Sequence, residues 1–414
     1  MQFLANLPFD LNLLPQPVYV VGGAVRDCLL GRVRAELDLD LVVATSAVAV
    51  ARQLATTYRA GFVLLDAERQ IARVVFPGMT VDIAQQDGAS IVADLARRDY
   101  TLNAIAYDIQ TGATIDPFNG SEDVQQRLLR MVGRDNLVSD PLRLLRAYRQ
   151  AAQIGLTIEP ATHRAIRELV PLLTTVAAER VLAELRYLLQ APTSSQWLAA
   201  MVADDLLMGW LEIPVGADFP ARLTEFDRAV KSIDRHYPAL VLALDRPLRA
   251  TISISRRSIG KFMLLLSPEL QLATVQMSRL TFSAIEMQVV TTAITYLPQL
   301  VGIEMSLREQ YFWFQAVGDN FSLMVVLAIG SGVELVNLAP LIDRYCDPLN
   351  QVAHPTPLVS GRDLMAGLEL PPSPMIGKLL TEIQIARIMD KIATPTEAIQ
   401  FARAFIQSIE QQQK

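Results

Sequence analysis

Residues 18–43, VYVVGGAVRDCLLGRVRAELDLDLVV, constrain the fold more than any other stretch of the chain. A short apolar run, Val18 to Val21, stops at Gly22-Gly23, and Ala24 to Leu30 reads as a helix. After a basic turn at Gly31 to Arg34, a second apolar run carries Asp38 and Asp40. The pattern predicts strand, glycine turn, helix, strand. Alternate side chains of a strand share a face, so Asp38 and Asp40 point together while Leu37, Leu39 and Leu41 point into a core. Adjacent carboxylates repel, and a cation between them relieves the repulsion. The stretch therefore predicts a metal site and, with it, a polyphosphate.

The glycines fit that reading. Where a strand turns into a helix the first backbone N–H groups are unpaired and the helix dipole is positive, so anions are favoured. Arg26, one turn into the helix, would reach the same phosphates. Taken alone, Gly22-Gly23 is equally a plain turn; followed by the aspartate pair, it joins one electrostatic site. No Walker-type lysine loop is present, which disfavours a P-loop ATPase. Two metals bridged by acids activate a hydroxyl and steady a leaving pyrophosphate, the chemistry of nucleotidyl transfer. No serine or cysteine triad competes, and His163, His236 and His354 are scattered.

Further along, Ala47 to Tyr58 reads as a helix, and Phe62 to Leu65, Ala72 to Phe76 and Val81 to Ala84 as strands. Asp82 on the last of these is either a third acid beside the pair or a solvent-facing strand aspartate. Ile91 to Ala106 looks helical, which would place Asp99 and Asn103 on one face, with Arg98 beside them to hold a ribose and its phosphates; Asp99 is also an ordinary helix cap. Thr111-Gly112 punctuates a hairpin. From Asp123 onward the pattern is almost wholly helical, as in Ala177 to Gln190, where Val181, Leu182, Leu185, Leu188 and Leu189 form one apolar stripe. Asp347 to Pro357 reads as a linker.

Charge is uneven. The chain carries a formal −6, yet Gln126 to Gln190 holds ten arginines against six acids. Arginine grips phosphate in a planar fork, so this stretch is the candidate nucleotide or nucleic-acid surface. Within it, Ser139-Asp140-Pro141 is an ordinary helix start, but Asp140 and Arg143 would be neighbours on that helix. An ionised Asp only accepts hydrogen bonds and Arg only donates them. Cytosine and adenine each offer an amino donor beside a ring-nitrogen acceptor, so one Asp/Arg pair suits both. Guanine and uracil would leave the pair mismatched, at roughly 1–3 kcal/mol per unpaired group. Arg146 and Arg149 repeat the spacing along the same helix side, suited to triphosphate or RNA backbone.

With 414 residues, 51% apolar and 19% charged, the chain is globular and long enough for two to four compact units. A mean hydropathy of +0.28 raises the question of a membrane span. Phe321 to Val333 runs 13 residues without charge, short of the about 20 that a spanning helix needs; a buried helix and no membrane partner are expected. Met1 to Pro17 does not read as a secretion signal, and Cys28 and Cys346 read as small core residues in a reducing cytoplasm.

Five ordered motifs spread over about 170 residues resemble the class II tRNA nucleotidyltransferase and poly(A) polymerase family: Gly22 to Asp27; Asp38-Leu39-Asp40; Arg97-Arg98-Asp99 with Thr101 and Asn103; Asp116 to Gly120; and Asp140 to Arg143 with Arg146 and Arg149. Glu179-Arg180 with Glu184-Leu185 looks like the family's later helix motif. The resemblance implies an α+β chain: a nucleotidyltransferase head with a mixed β-sheet and helices over 1–125, then an all-α neck for base recognition over 126–192, a body over 193–346 and an RNA-binding tail over 347–414. It implies Mg²⁺ on Asp38 and Asp40, with Gly22, Gly23 and Arg26 at the triphosphate. Arg98, Asp99 and Asn103 would sit by sugar and phosphates, Asp140 and Arg143 on the base, and Arg146 and Arg149 on phosphate. The implied reaction is untemplated addition of C and A to the tRNA 3′ end from CTP and ATP. A poly(A) polymerase and a catalytically silent RNA-binding protein are the alternatives on the same fold. Two departures stand out. Ser139 replaces the family's usual Glu, and the stretch between Asp40 and Arg97 lacks an arginine- and tyrosine-bearing flexible loop, as in members specialised for C addition.

Overall fold

The computed structural model describes Leu4 and residues 7–32, 37–211, 218–249, 252–301 and 305–412. Val33 and Arg34 of the expected basic turn lie outside these residues. The chain divides into two compact units, Met1–Glu212 and Ile213–Lys414; the boundaries expected near 125, 192 and 346 fall inside them.

The first unit is built on a seven-stranded mixed sheet. Its strands are β1 (Val18–Val21), β2 (Leu37–Val43), β3 (Gly61–Asp66), β4 (Ile71–Phe76), β5 (Met79–Gln85), β6 (Ala106–Asp108) and β7 (Thr114–Ile115), in the order β3-β4-β5-β2-β1-β6-β7. β2 and β5 are parallel and the other pairings antiparallel. Helix α1 (Gly23–Leu29) follows β1, and α2 (Ala47–Tyr58) follows β2. Val18, Val20, Leu39, Leu41, Val74, Val81 and Ile83 pack with Ala47, Ala51 and Leu54 in one core. The period-two pattern thus buries one sheet face under α2 and leaves Asp38, Asp40 and Asp82 on the other.

The helix expected over Ile91 to Ala106 stops early. α3 spans only Ile91–Leu95; a bend carries Arg97 to Asp99, a 3₁₀ turn spans Thr101–Asn103, and β6 begins at Ala106. The reason is tertiary. Thr101 N–H donates to the Arg130 carbonyl and Val132 N–H to the Asp99 carbonyl, and Tyr100 bridges Met131. These partners outcompete the local helix. Beyond them lie α4 (Gly120–Gln125), α5 (Arg134–Ser139), α6 (Leu142–Ile154), α7 (Pro160–Leu169), α8 (Ala178–Leu189) and α9 (Ser194–Ala203). A short parallel pair, β8 (Leu128–Leu129) with β9 (Thr157–Ile158), interrupts the expected helical run. The α8 stripe is buried as its spacing predicts.

The second unit is helical, apart from a hairpin of Pro247–Arg249 with Ile252–Ser255. Leu307–Gly330 is long and apolar enough by composition to cross a membrane, but it breaks at Gly318 (φ +50), and Phe321 to Ala328 are all buried. That is the buried helix expected there. The segment expected as a linker is packed instead, with Val352 and Ala353 buried and His354 Nε2 at 2.7 Å from the Tyr345 carbonyl. Cys346 ends the helix Leu335–Cys346 and is exposed, and Cys28 is half-buried, so neither is the core residue expected.

Candidate active site

Three strands and one turn converge on Asp40. Its register neighbours are Val21 on β1 and Asp82 on β5. Past Val21 the chain turns at Gly22, whose φ of +69° belongs to the region that glycine occupies without steric cost. A side chain there would meet Asp40 Oδ2 and Arg98 Nη1, so the glycine lets carboxylate, backbone and guanidinium crowd together. Asp38 is exposed on the same strand and accepts from Thr80 Oγ1 at 2.6 Å. Arg98 is held by Asp94, with Nη2 at 3.2 Å.

Burial pushes the Asp40 carboxyl up to about 6; Asp82 and Asp38 add to the shift, and Arg98 and Arg146 oppose it. A carboxylate so crowded by like charge is a favourable ligand for a hard cation, and the donor set of carboxylate oxygens suits a divalent ion of the magnesium class. Asp38 and Asp40 could hold it. Asp82 differs: Arg73 on β4 donates Nε to its Oδ1 at 2.7 Å and Nη2 to its Oδ2 at 2.9 Å. Among the described residues, no group of three or more His, Cys, Asp or Glu side chains is gathered as a metal site.

Beneath this face lies a buried polar network. Arg26, expected on the triphosphate, is buried. Its Nε donates to Asp27 at 2.9 Å and its Nη1 to Asn103 at 2.7 Å and Gln150 at 3.3 Å. Asn103 donates to Asp99 Oδ1 at 2.9 Å, so these two meet as expected, although not on an α-helix. Asp99 Oδ2 accepts from Arg146 Nε at 3.0 Å and Gln150 Nε2 at 3.3 Å. Burial works against ionising Asp99, yet Arg146, Asn103 and the Tyr100 N–H outweigh it and hold the pKa near about 2. Asp99, Asn103 and Arg26 thus support the face from below, because their hydrogen-bonding groups are already matched to one another.

The pair expected to read the base, Asp140 and Arg143, is placed differently from what their helical spacing predicts. Asp140 is extended and precedes α6 instead of lying within it. Both its oxygens accept from Arg180 Nη2, at 3.2 and 3.1 Å. Arg143 donates Nη1 to the carbonyls of Arg97 at 2.8 Å and Asn136 at 3.1 Å. Asn136 Nδ2 in turn donates to the carbonyls of Ala96 and Arg98, both at 2.8 Å. Ser139 Oγ donates to the Asn136 carbonyl at 2.9 Å. The arginine ladder is tied to acids: Arg146 Nη1 lies 3.7 Å from Glu184 and Arg149 Nε 2.5 Å from it, with Arg149 over the Tyr187 ring. The Asp99 charge, aided by Glu184, raises the Arg146 pKa further.

Gln150, Asn136, Asp94 and Arg73 were not legible as site residues. Gln150 and Asn136 act through partners far along the chain and Arg73 through the neighbouring strand; Asp94 stands four residues before Arg98, but only the placement of Arg98 beside Asp40 ties that pair to the site. Asp116, part of a recognised motif, caps α4 by accepting from the N–H groups of Gly120 and Ser121 at 2.7 and 2.8 Å. A Cβ at Gly120 would collide with the Thr101 carbonyl oxygen at 2.1 Å, so this motif shapes the fold around the site.

Three family models match the chain: a poly A polymerase head domain over residues 18–89 and 84–130, a probable RNA and SrmB-binding site of polymerase A over 155–214, and a putative tRNA nucleotidyltransferase domain 2 over 254–402. A CC-adding tRNA nucleotidyltransferase of Synechocystis sp. is 43% identical over 96% of each chain. An A-adding tRNA nucleotidyltransferase of Deinococcus radiodurans is 30% identical over 95% of each. A solved CCA-adding enzyme in its apo form shares the fold, with a TM-score of 0.71 over 94% of this chain and 90% of its own, at 20% identity.

Proposed function

Because this chain belongs to the tRNA nucleotidyltransferase and poly(A) polymerase family, we propose that it adds cytidine to the 3′ end of tRNA from CTP, releasing pyrophosphate, as a CC-adding enzyme. The observation that carries the cytidine choice is the connection from β5 to α3. It is five residues long, closed by Ser90 capping α3, with no room for the flexible loop that members specialised for C addition also lack. The full-length similarity to a CC-adding enzyme points the same way.

Asp38 and Asp40 would hold Mg²⁺, which when bound neutralises triphosphate charge and favours the ionised 3′-hydroxyl of the acceptor. The protein's own residues supply the rest. Gly22 opens the backbone for close approach of the phosphates, and Arg98, fixed by Asp94, offers its guanidinium beside them. The Asp140 carboxylate accepts from the amino group of cytosine, while Arg143 donates to the ring nitrogen and carbonyl. Arg180 and the Asn136 carbonyl keep these two from collapsing onto each other. The buried Arg26–Asn103–Asp99–Gln150 network holds phosphate and base halves in one register. Because its substrates are tRNA and nucleoside triphosphates, we assign the reaction to the cytoplasm.

The test is incorporation by purified protein on tRNA ending at the discriminator base, at C or at CC, with CTP and ATP supplied separately. CTP use on the first two and no ATP use on the third supports the proposal. ATP use on the CC end makes the protein a full CCA-adding enzyme. Long A runs on unrelated RNA would make it a poly(A) polymerase, and no incorporation anywhere would leave only RNA binding.

A further inference from the structure

Strand register draws a row of charges across the sheet: Arg73 on β4 faces Asp82 on β5, which faces Asp40 on β2. Arg73 engages both oxygens of Asp82 in a fork. The pair is partly open, with side-chain exposures of 41% and 24%, so water alone could solvate either group; the fork is an arrangement of the strands and not a response to deep burial. The charges of Asp82 and Asp38 both bear on Asp40.

From this row we infer that Arg73 is a positioning residue: a built-in cation that occupies Asp82, keeps it off the metal, and leaves Asp38 and Asp40 as the protein's carboxylate ligands. The inference rests on the reading of Asp38 and Asp40 as the metal site. Guanidinium stays charged at every accessible pH and matches carboxylate geometry in a two-point fork. A divalent ion competing for Asp82 must break that fork and leave Arg73 facing the ion across one strand spacing. With Arg73 present, Asp82 and Arg73 cancel as a unit. With Arg73 gone, Asp82 is a third oxygen ligand one register step from Asp40.

The experiment titrates Mn²⁺ alone into the full chain. Free Mn²⁺ is followed by electron paramagnetic resonance, and water protons are followed by relaxation to count waters left on the ion. R73M should bind Mn²⁺ at least fivefold tighter than wild type, with fewer bound waters. R73M/D82N, which restores the net charge, should return to within twofold of wild type with the wild-type water count. R73K, which keeps charge and loses the fork, should fall between wild type and R73M; it serves as the readout if R73M unfolds in a thermal melt. Unchanged or weaker binding by R73M, or a tenfold loss in R73M/D82N, would overturn the inference, the latter because Asp82 would then be a ligand in the native protein. D40N is the control for the underlying reading. If it binds Mn²⁺ as wild type does, the metal assignment itself is wrong, whatever Arg73 does.

Discussion

A Cβ on Gly22 would stand 3.1 Å from Asp40 Oδ2 and 3.3 Å from Arg98 Nη1. The turn residue and the Asp40 carboxylate therefore share one small volume, and Gly22→Ala attacks it twice. The positive φ costs about 1 kcal/mol or more for a residue with a side chain, and the new methyl displaces the carboxylate or the guanidinium. CTP incorporation should fall at least about 100-fold, on the scale set by a roughly 1 Å misplacement of a reacting group. The thermal midpoint should drop by only a few degrees. Near-normal single-turnover rates would show that Asp40 and Arg98 tolerate displacement.

Asp40 and Asp99 shift in opposite directions and predict opposite pH effects on the metal-free protein. Asp40 has its folded pKa raised to about 6 from 3.8. Its charge therefore costs stability, and that cost grows as pH rises from about 4 to 6 and persists above. Asp40→Asn should stabilise the protein in EDTA at pH 8 by about 1–3 kcal/mol, with no gain below pH 4. Asp99, lowered to about 2, contributes stability that is present above about pH 4 and lost as pH falls toward 2. Urea denaturation of wild type, Asp40→Asn and Asp99→Asn across pH 3–8 would separate the two. A gain from Asp40→Asn that is the same at pH 3.5 and pH 8 would falsify the assignment.

Arg180 holds Asp140, the carboxylate proposed to read the base. Arg180→Ala frees Asp140 to rotate, and the ratio of kcat/KM for CTP over UTP should fall about tenfold, or about 1.4 kcal/mol. The loss should lie mainly in KM for CTP, because the metal face is untouched. Steady-state kinetics with each nucleotide on the same acceptor tRNA measures it; an equal loss of kcat for both nucleotides would point to α8 packing instead of base reading.

Glu184 is 8% exposed and serves both Arg146 and Arg149. Glu184→Gln removes the acid that Arg149 engages and leaves Arg146 with Asp99 alone. It should cost about 2–4 kcal/mol, at and below the roughly 3–5 kcal/mol of breaking a fully buried pair, because both guanidinium groups are partly exposed. Differential scanning calorimetry should show a clear fall in the melting temperature of the first unit, while Glu184→Asp recovers part of it.

The strand that carries Asp38 and Asp40 is legible in the sequence because its information is local. Asp38 and Asp40 are separated by a single residue, and strand periodicity alone assigns them one face. The α8 stripe and the buried helix after Phe321 were legible for the same reason. What failed was non-local. Ile91 to Ala106 has helical composition, but the Arg130 and Val132 backbone claims its middle. Asp140 and Arg143 have helical spacing, yet the helix begins between them. Arg26 stands one turn from a phosphate-type turn, and its sequence position gives no hint that Asn103 and Gln150 lie where they absorb its guanidinium. Spacing singled these residues out as candidates, while their partners in the fold decide which way each one faces.

The carbonyls of Ala96, Arg97 and Arg98 are all taken by side chains of the α5–α6 segment, two by Asn136 and one by Arg143. A carbonyl is the same whatever residue bears it, so this clamp reads the course of the loop and ignores its composition. Tolerance to mutation should therefore be lopsided. Positions 96 and 97 are free to drift as long as the backbone path is kept, whereas Asn136 has no substitute that offers two amide hydrogens at that reach. Lineages of this enzyme can thus alter positions 96 and 97 without disturbing the path of the loop between α3 and the start of α6, and the burden of constancy falls on Asn136, whose two amide hydrogens are both spent on that loop.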